Sequence, residues 1–154
     1  MKFTLIALFI LALYLAPAHS YSQAAKQGKA ATYTKDPGHP HRIVIQMSTA
    51  DSLEQKALLQ NIRNIQQIWG DSVMIEVVIF GPGISLALKD QSTQAAALHQ
   101  LSQKNTRFVV CRNTMKQKNV KEEDVLPGLG FVPSGAVEVI LKQEQGWSYF
   151  KAGF

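Results

Sequence analysis

The sequence predicts an α/β domain built on one parallel sheet, with helices packed on its faces. Two observations carry this. Short apolar, β-branched runs recur four times, each followed by a stretch with helical spacing of its apolar residues, and a last strand ends the pattern. The first two runs, residues 42–47 and 73–80, are so rich in Ile and Val that they read as buried on both faces, as parallel strands are. No linker or internal repeat divides the region.

The elements follow in order. Residues 42–47 are the first strand and Ser48-Thr49-Ala50 its turn. Asp51 and Glu54 have capping-box spacing, so a helix starts near Ser52. Leu58, Ile62, Ile65 and Trp69 form its inward stripe, and Gly70-Asp71 stops it. Residues 73–80 are the second strand, ended by Gly81-Pro82-Gly83. A short helical segment begins at Ile84. Ser92 or Thr93 caps the next helix, whose stripe is Ala97, Leu98 and Leu101. Phe108-Val109-Val110 is the third strand and ends at Cys111, with a short helix over residues 113–118 and a helical turn over 122–126. Phe131-Val132-Pro133 is the fourth strand. Ser134-Gly135 leads into a helix with a broad apolar face of Ala136, Val137, Val139, Ile140 and Leu141, and residues 147–151 form the last strand. Glu76, inside an apolar strand, is expected at a sheet edge or against another subunit, and Trp69, Trp147 and Tyr149 in the core or an interface.

The N-terminal part is not domain. A short basic start, an apolar run from Phe3 to Leu15 and small residues at Ala18 and Ser20 have the layout of a secretory signal peptide, residues 1–20. Residues 21–41 are polar and aperiodic and read as a flexible leader, with the domain at 42–154. The location expected is periplasmic or secreted, without a stable membrane span once the signal is cleaved; the alternative is a membrane tether formed by an uncleaved signal. His39-Pro40-His41 reads as a solvated turn, so no metal or cofactor is expected. The formal charge of +5 comes from scattered bases rather than a stripe, which excludes a nucleic-acid footprint. No carboxylate pair or His/Cys cluster is visible for acid–base or metal chemistry.

In a parallel α/β sheet, ligands sit beyond the carboxyl ends of the strands. The junctions that reach this edge supply Ser48, Gly81, Gly83, Arg112, Asn113, Thr114, Ser134 and Gly135 as a candidate ligand-binding edge, with Cys111 as its nucleophile. Cys111 is the single cysteine of the chain, so it forms no intrachain disulfide. A helix N-terminus and Arg112 beside it favour thiolate over thiol. The competing reading is a cysteine merely buried at a strand end.

Taken together, the residue 43–47 strand, Val77-Val78-Ile79-Phe80-Gly81-Pro82-Gly83, Val110-Cys111-Arg112-Asn113-Thr114-Met115, Leu126-Pro127, Val132-Pro133-Ser134-Gly135 and Gly146-Trp147-Ser148-Tyr149-Phe150-Lys151 resemble the DsrE/DsrF-like (YchN-like) family of small sulfur-handling proteins. The resemblance implies a three-layer α/β/α fold with a five-stranded parallel sheet, of the DsrEFH-like kind, and assembly into homo-oligomers, trimers or hexamers. It implies a sulfur relay in which a cysteine at the place of Cys111 carries sulfur as a persulfide, with a sulfur donor or acceptor protein as partner. The expected function is therefore that of an exported sulfur carrier or thiol-handling protein rather than a turnover enzyme. The alternative is a non-catalytic oligomeric ligand-binding or protein-interaction module with a merely buried cysteine.

Overall fold

A computed structural model describes residues 40–151. The expected signal peptide and most of the expected leader lie outside the described residues. Nine regular elements alternate: β1 (His41–Met47), α1 (Ser52–Trp69), β2 (Val73–Ile79), α2 (Ala95–Ser102), β3 (Thr106–Cys111), α3 (Arg112–Gln117), β4 (Gly130–Val132), α4 (Gly135–Glu144) and β5 (Ser148–Lys151). The five strands form one sheet in the order β4-β3-β2-β1-β5, and every neighbouring pair is parallel. Among the described residues no helix is long and apolar enough to cross a membrane.

The topology decides which face each helix covers. From β1 to β4 the chain steps steadily outward; after β4 it returns across the sheet to lay β5 on the far side of β1. Right-handed crossovers place outward and returning connections on opposite faces. The core divides accordingly. One large cluster joins Ile43, Ile45, Val77, Ile79 and Phe108 to Leu58, Leu59 and Ile62 of α1, Leu98 and Leu101 of α2, and Met115 of α3. A second, small cluster on the other face joins Val44, Val78, Val109 and Val132 to Val139 of α4. This outer layer is thin: of the broad apolar face of α4 only part is buried, and Val137, Ile140 and Leu141 remain exposed.

Local chemistry explains the boundaries. Asp51 caps α1, its carboxylate accepting from the N–H groups of Leu53 and Glu54 at 2.7 and 3.0 Å. Three elements differ from expectation. His41 belongs to β1 rather than to a solvated turn, because its ring stacks on Trp69 with centroids 4.0 Å apart. Residues Gly81–Ala87 form a 3-10 helix, since Pro82 at its start removes a donor and the chain must pass close over β1. The next helix starts at Ala95, with Ser92 used instead to hold the N–H of Gln94. Glu76 is at no edge. It lies on β2, the middle strand, 2% exposed, and faces α4.

Candidate functional site at the carboxyl edge of β3 and β4

The sheet has a topological switch at β3 and β4. β3 leads into α3 on the thick face, and its neighbour β4 leads into α4 on the other. Where two connections part to opposite faces, α/β proteins bind ligands at the strand ends. Cys111, the last residue of β3, pairs with Val132 at this point.

Cys111 is free, 4% exposed, and occupies the N-cap position of α3. Its sulfur accepts the N–H of Thr114 at 3.4 Å. Burial pushes the thiol up, yet the Thr114 hydroxyl and the N–H dipoles of Thr114, Gly135 and Asn113 around the sulfur outweigh it, and the net shift is downward. The charge of Arg112 is not what does this. That guanidinium is drawn away to the Glu122 carboxylate and lies 4.8 Å from the centre of the Phe131 ring.

The other junction residues assemble around the cysteine to differing degrees. The Thr114 hydroxyl accepts the Gly81 N–H at 2.9 Å, so one buried hydroxyl links the glycine turn to the sulfur. Asn113 donates its N–H to the Pro133 carbonyl at 3.3 Å, tying the two strand ends together. Gly135 packs on Phe80, where a Cβ would lie 2.6 Å from the ring. Gly83 lies against the backbone of Met47 and Ser48, which brings the first junction under the second. Ser48 sits farther from the sulfur along the edge, its hydroxyl accepting from Gln46 at 3.1 Å. Ser134 makes no side-chain cap on α4. A cleft of about 440 Å³ beside this edge is lined by Ala50, Pro82, Ser85 and Lys118 among others, and Cys111 does not line it.

Sequence reasoning missed Gln55. It is buried in α1 and its amide donates to the Thr49 carbonyl at 3.0 Å and to the Ser85 hydroxyl at 2.9 Å, clamping two junctions. The available signal was its position: Gln55, Leu59, Ile62 and Gln66 share one helical stripe, and an amide on an inward stripe needs a buried partner.

Thr114→Val is expected to cost about 1–3 kcal/mol, because the Gly81 N–H loses its acceptor. The titration midpoint of Cys111 should also move up toward the ordinary thiol value. Urea denaturation and the pH dependence of iodoacetamide alkylation check the two effects; an unchanged midpoint would deny the hydroxyl its role on the sulfur.

Among the described residues no group of three or more His, Cys, Asp or Glu could hold a metal ion. His39 lies outside the described residues.

A search of curated proteins finds no match. Among solved structures, the protein of unknown function MTH1491 from Methanobacterium thermoautotrophicum is 29% identical over 72% of this chain and 98% of that one, with a TM-score of 0.69. The conserved protein of unknown function BT1422 from Bacteroides thetaiotaomicron shares the fold at 13% identity, covering 71% of this chain and 93% of that one, with a TM-score of 0.54. The DsrE/DsrF-like family model matches residues 17–152, and that match supports a general sulfur-related function. Spanning the whole sheet and the cysteine-bearing edge, this match shows that the chain belongs to the DsrE/DsrF-like family.

Proposed function

We propose that the protein is an exported, homo-oligomeric sulfur carrier in which Cys111 holds sulfane sulfur as a persulfide. The observation that carries this reading is the hydrogen-bonded sulfur at the β3–β4 switch, held toward thiolate although buried. The step is redox-neutral. The Cys111 thiolate attacks the terminal sulfur of a donor persulfide, R–S–SH. A new S–S bond forms to Cys111 as the old one breaks, and RS⁻ leaves with the bonding electron pair. Handing the sulfur to an acceptor thiolate repeats the step with Cys111 as leaving group. No outside oxidant or reductant is needed, which suits a carrier better than a turnover enzyme.

The narrow access at Cys111 suits a persulfide that must be kept from stray thiols, and it asks the partner to open the edge. Ser48, Gly81, Gly83, Arg112, Asn113, Thr114, Ser134 and Gly135 form the rim that such a partner meets. Residues 1–20 supply export to the periplasm or exterior. Trimer or hexamer formation would cover exposed Val137, Ile140 and Leu141 of α4 with Tyr149 and Phe150 of β5.

After polysulfide treatment, intact-mass spectrometry should show one or more sulfur atoms added to the wild type and none to Cys111→Ser. Equal masses in the two would end the carrier reading. The 4% exposure of Cys111 favours a second reading, a binding or interaction module with a passive thiol. Labelling of the thiol only after denaturation would select it.

A further inference from the structure

The cleft of about 440 Å³ at the carboxyl edge plays no part in sulfur transfer, since Cys111 does not line it. Three segments meet there. The turn before α1 supplies Ala50, the 3-10 segment after β2 supplies Pro82, Ile84 and Ser85, and the turn after α3 supplies Lys118 and Val120. Leu88 and Gln91 complete it. Ile84 and Leu88 belong to the buried core, so the floor is apolar. The volume falls in the range of small-molecule sites, which pair apolar walls with a few placed polar groups.

Those polar groups are donors, and the fold makes them so. Gln55 is buried in α1, and its amide nitrogen carries two protons. One goes to the Thr49 carbonyl at 3.0 Å, a group that only accepts and so fixes which end of the amide is nitrogen. The other goes to the Ser85 oxygen at 2.9 Å. Ser85 therefore accepts on its Gln55 side, and its own proton points elsewhere. Among the described residues no group takes that proton. Lys118 is a donor only, and its ammonium forms no ion pair with a described carboxylate. The backbone beneath it is held, with the Lys118 N–H on the Thr114 and Met115 carbonyls at 3.0 and 3.2 Å. Asn119 then turns the chain with φ of 53°. Gln91 adds an amide, and no acidic side chain lines the cleft. An aimed hydroxyl, an unneutralised ammonium and an apolar floor complement an anionic head on an apolar body.

We propose that this cleft binds a small organic carboxylate, its head group on Lys118 and the Ser85 hydroxyl and its body over Ile84 and Leu88. Gln55 is then a positioning residue that aims the Ser85 proton. The test is titration of the isotope-labelled full-length protein with benzoate, followed by backbone amide shifts at constant ionic strength. Saturable shifts at the residues lining the cleft are expected, with none from benzamide, which has the same shape and no charge. Lys118→Met and Ser85→Ala should each weaken benzoate about tenfold, the lower end of what one hydrogen bond to a charged group is worth. Lys116→Met removes the same charge from an exposed position of α3 outside the cleft and should leave the affinity unchanged. Ser85→Ala with Gln55→Met takes the place of Ser85→Ala if that variant does not fold, since it strands no amide proton. Benzoate that does not saturate, benzamide that binds equally well, or Lys118→Met and Lys116→Met acting alike overturns the proposal. Cys111→Ser should bind benzoate as the wild type does, whatever the result of polysulfide loading. Loss of binding in Cys111→Ser would put the anion at the sulfur and overturn the cleft as its site.

Discussion

Gly83→Ala is expected to destabilise the fold by about 3 kcal/mol, the upper part of the range for overpacking. A Cβ at this position would lie 2.4 Å from the Met47 carbonyl oxygen, 2.9 Å from its carbon and 3.0 Å from Ser48 Cα. All three are backbone atoms of β1 or its turn, and none can rotate aside. The same carbonyl accepts the Phe80 N–H at 3.1 Å, so pushing it away also strains the end of β2. Gly135→Ala should cost stability as well, because a Cβ there would lie 2.6, 2.8 and 2.9 Å from Cδ1, Cγ and Cβ of Phe80, and rotating the ring does not move its Cβ and Cγ aside. In urea, Gly83→Ala should lower the midpoint with the slope unchanged. A loss below about 0.5 kcal/mol, the size expected of an ordinary surface change, would mean that β1 and the glycine turn are not in contact as described.

Lys142→Met alone is expected to cost about 3–5 kcal/mol at neutral pH, because it leaves the Glu76 carboxylate buried without its partner. The effect has a definite pH dependence. Burial first, then Glu138, raises Glu76 above its ordinary value of 4.5, and Lys142 pulls it partly back. The folded chain therefore binds a proton that the unfolded chain has lost, and stability falls as pH rises from 4.5 through the raised folded value. The burden is complete above that value and absent below 4.5. Without Lys142 the folded value climbs further, so the window widens upward and the gap between variant and wild type grows with pH. Equilibrium denaturation at several pH values between 4 and 8 checks the sign. A gap that shrank toward neutral pH would contradict the burial of Glu76. Arg107 is placed to soften the loss, but at 3.9 Å and 63% exposed it is a poor substitute.

The fold class was legible because its signals are local. Runs such as residues 43–47 and 75–79 are buried on both faces, and the stripe of Leu58, Leu59 and Ile62 has helical spacing. Both follow from which side chains water rejects. The capping residue Asp51 and the position of Cys111 between strand and helix were legible for the same reason. Gly81 and Thr114, named as separate junctions, do meet, by a hydrogen bond that joins positions 33 residues apart.

What the sequence determined by itself was the order of elements, the parallel sheet and the single cysteine at the end of β3. Only the tertiary structure decided the rest. The return of the chain after β4 put α4 on a face of its own and made the β3–β4 switch at which Cys111 lies. That same return set Glu138 and Lys142 over Glu76, a carboxylate pair no spacing announces. It also decided that hydrogen bonds, rather than the neighbouring Arg112, hold the thiol down, since Arg112 finds Glu122. Local chemistry is read residue by residue, but a partner's identity depends on which face a crossover takes, and handedness is a property of the folded chain.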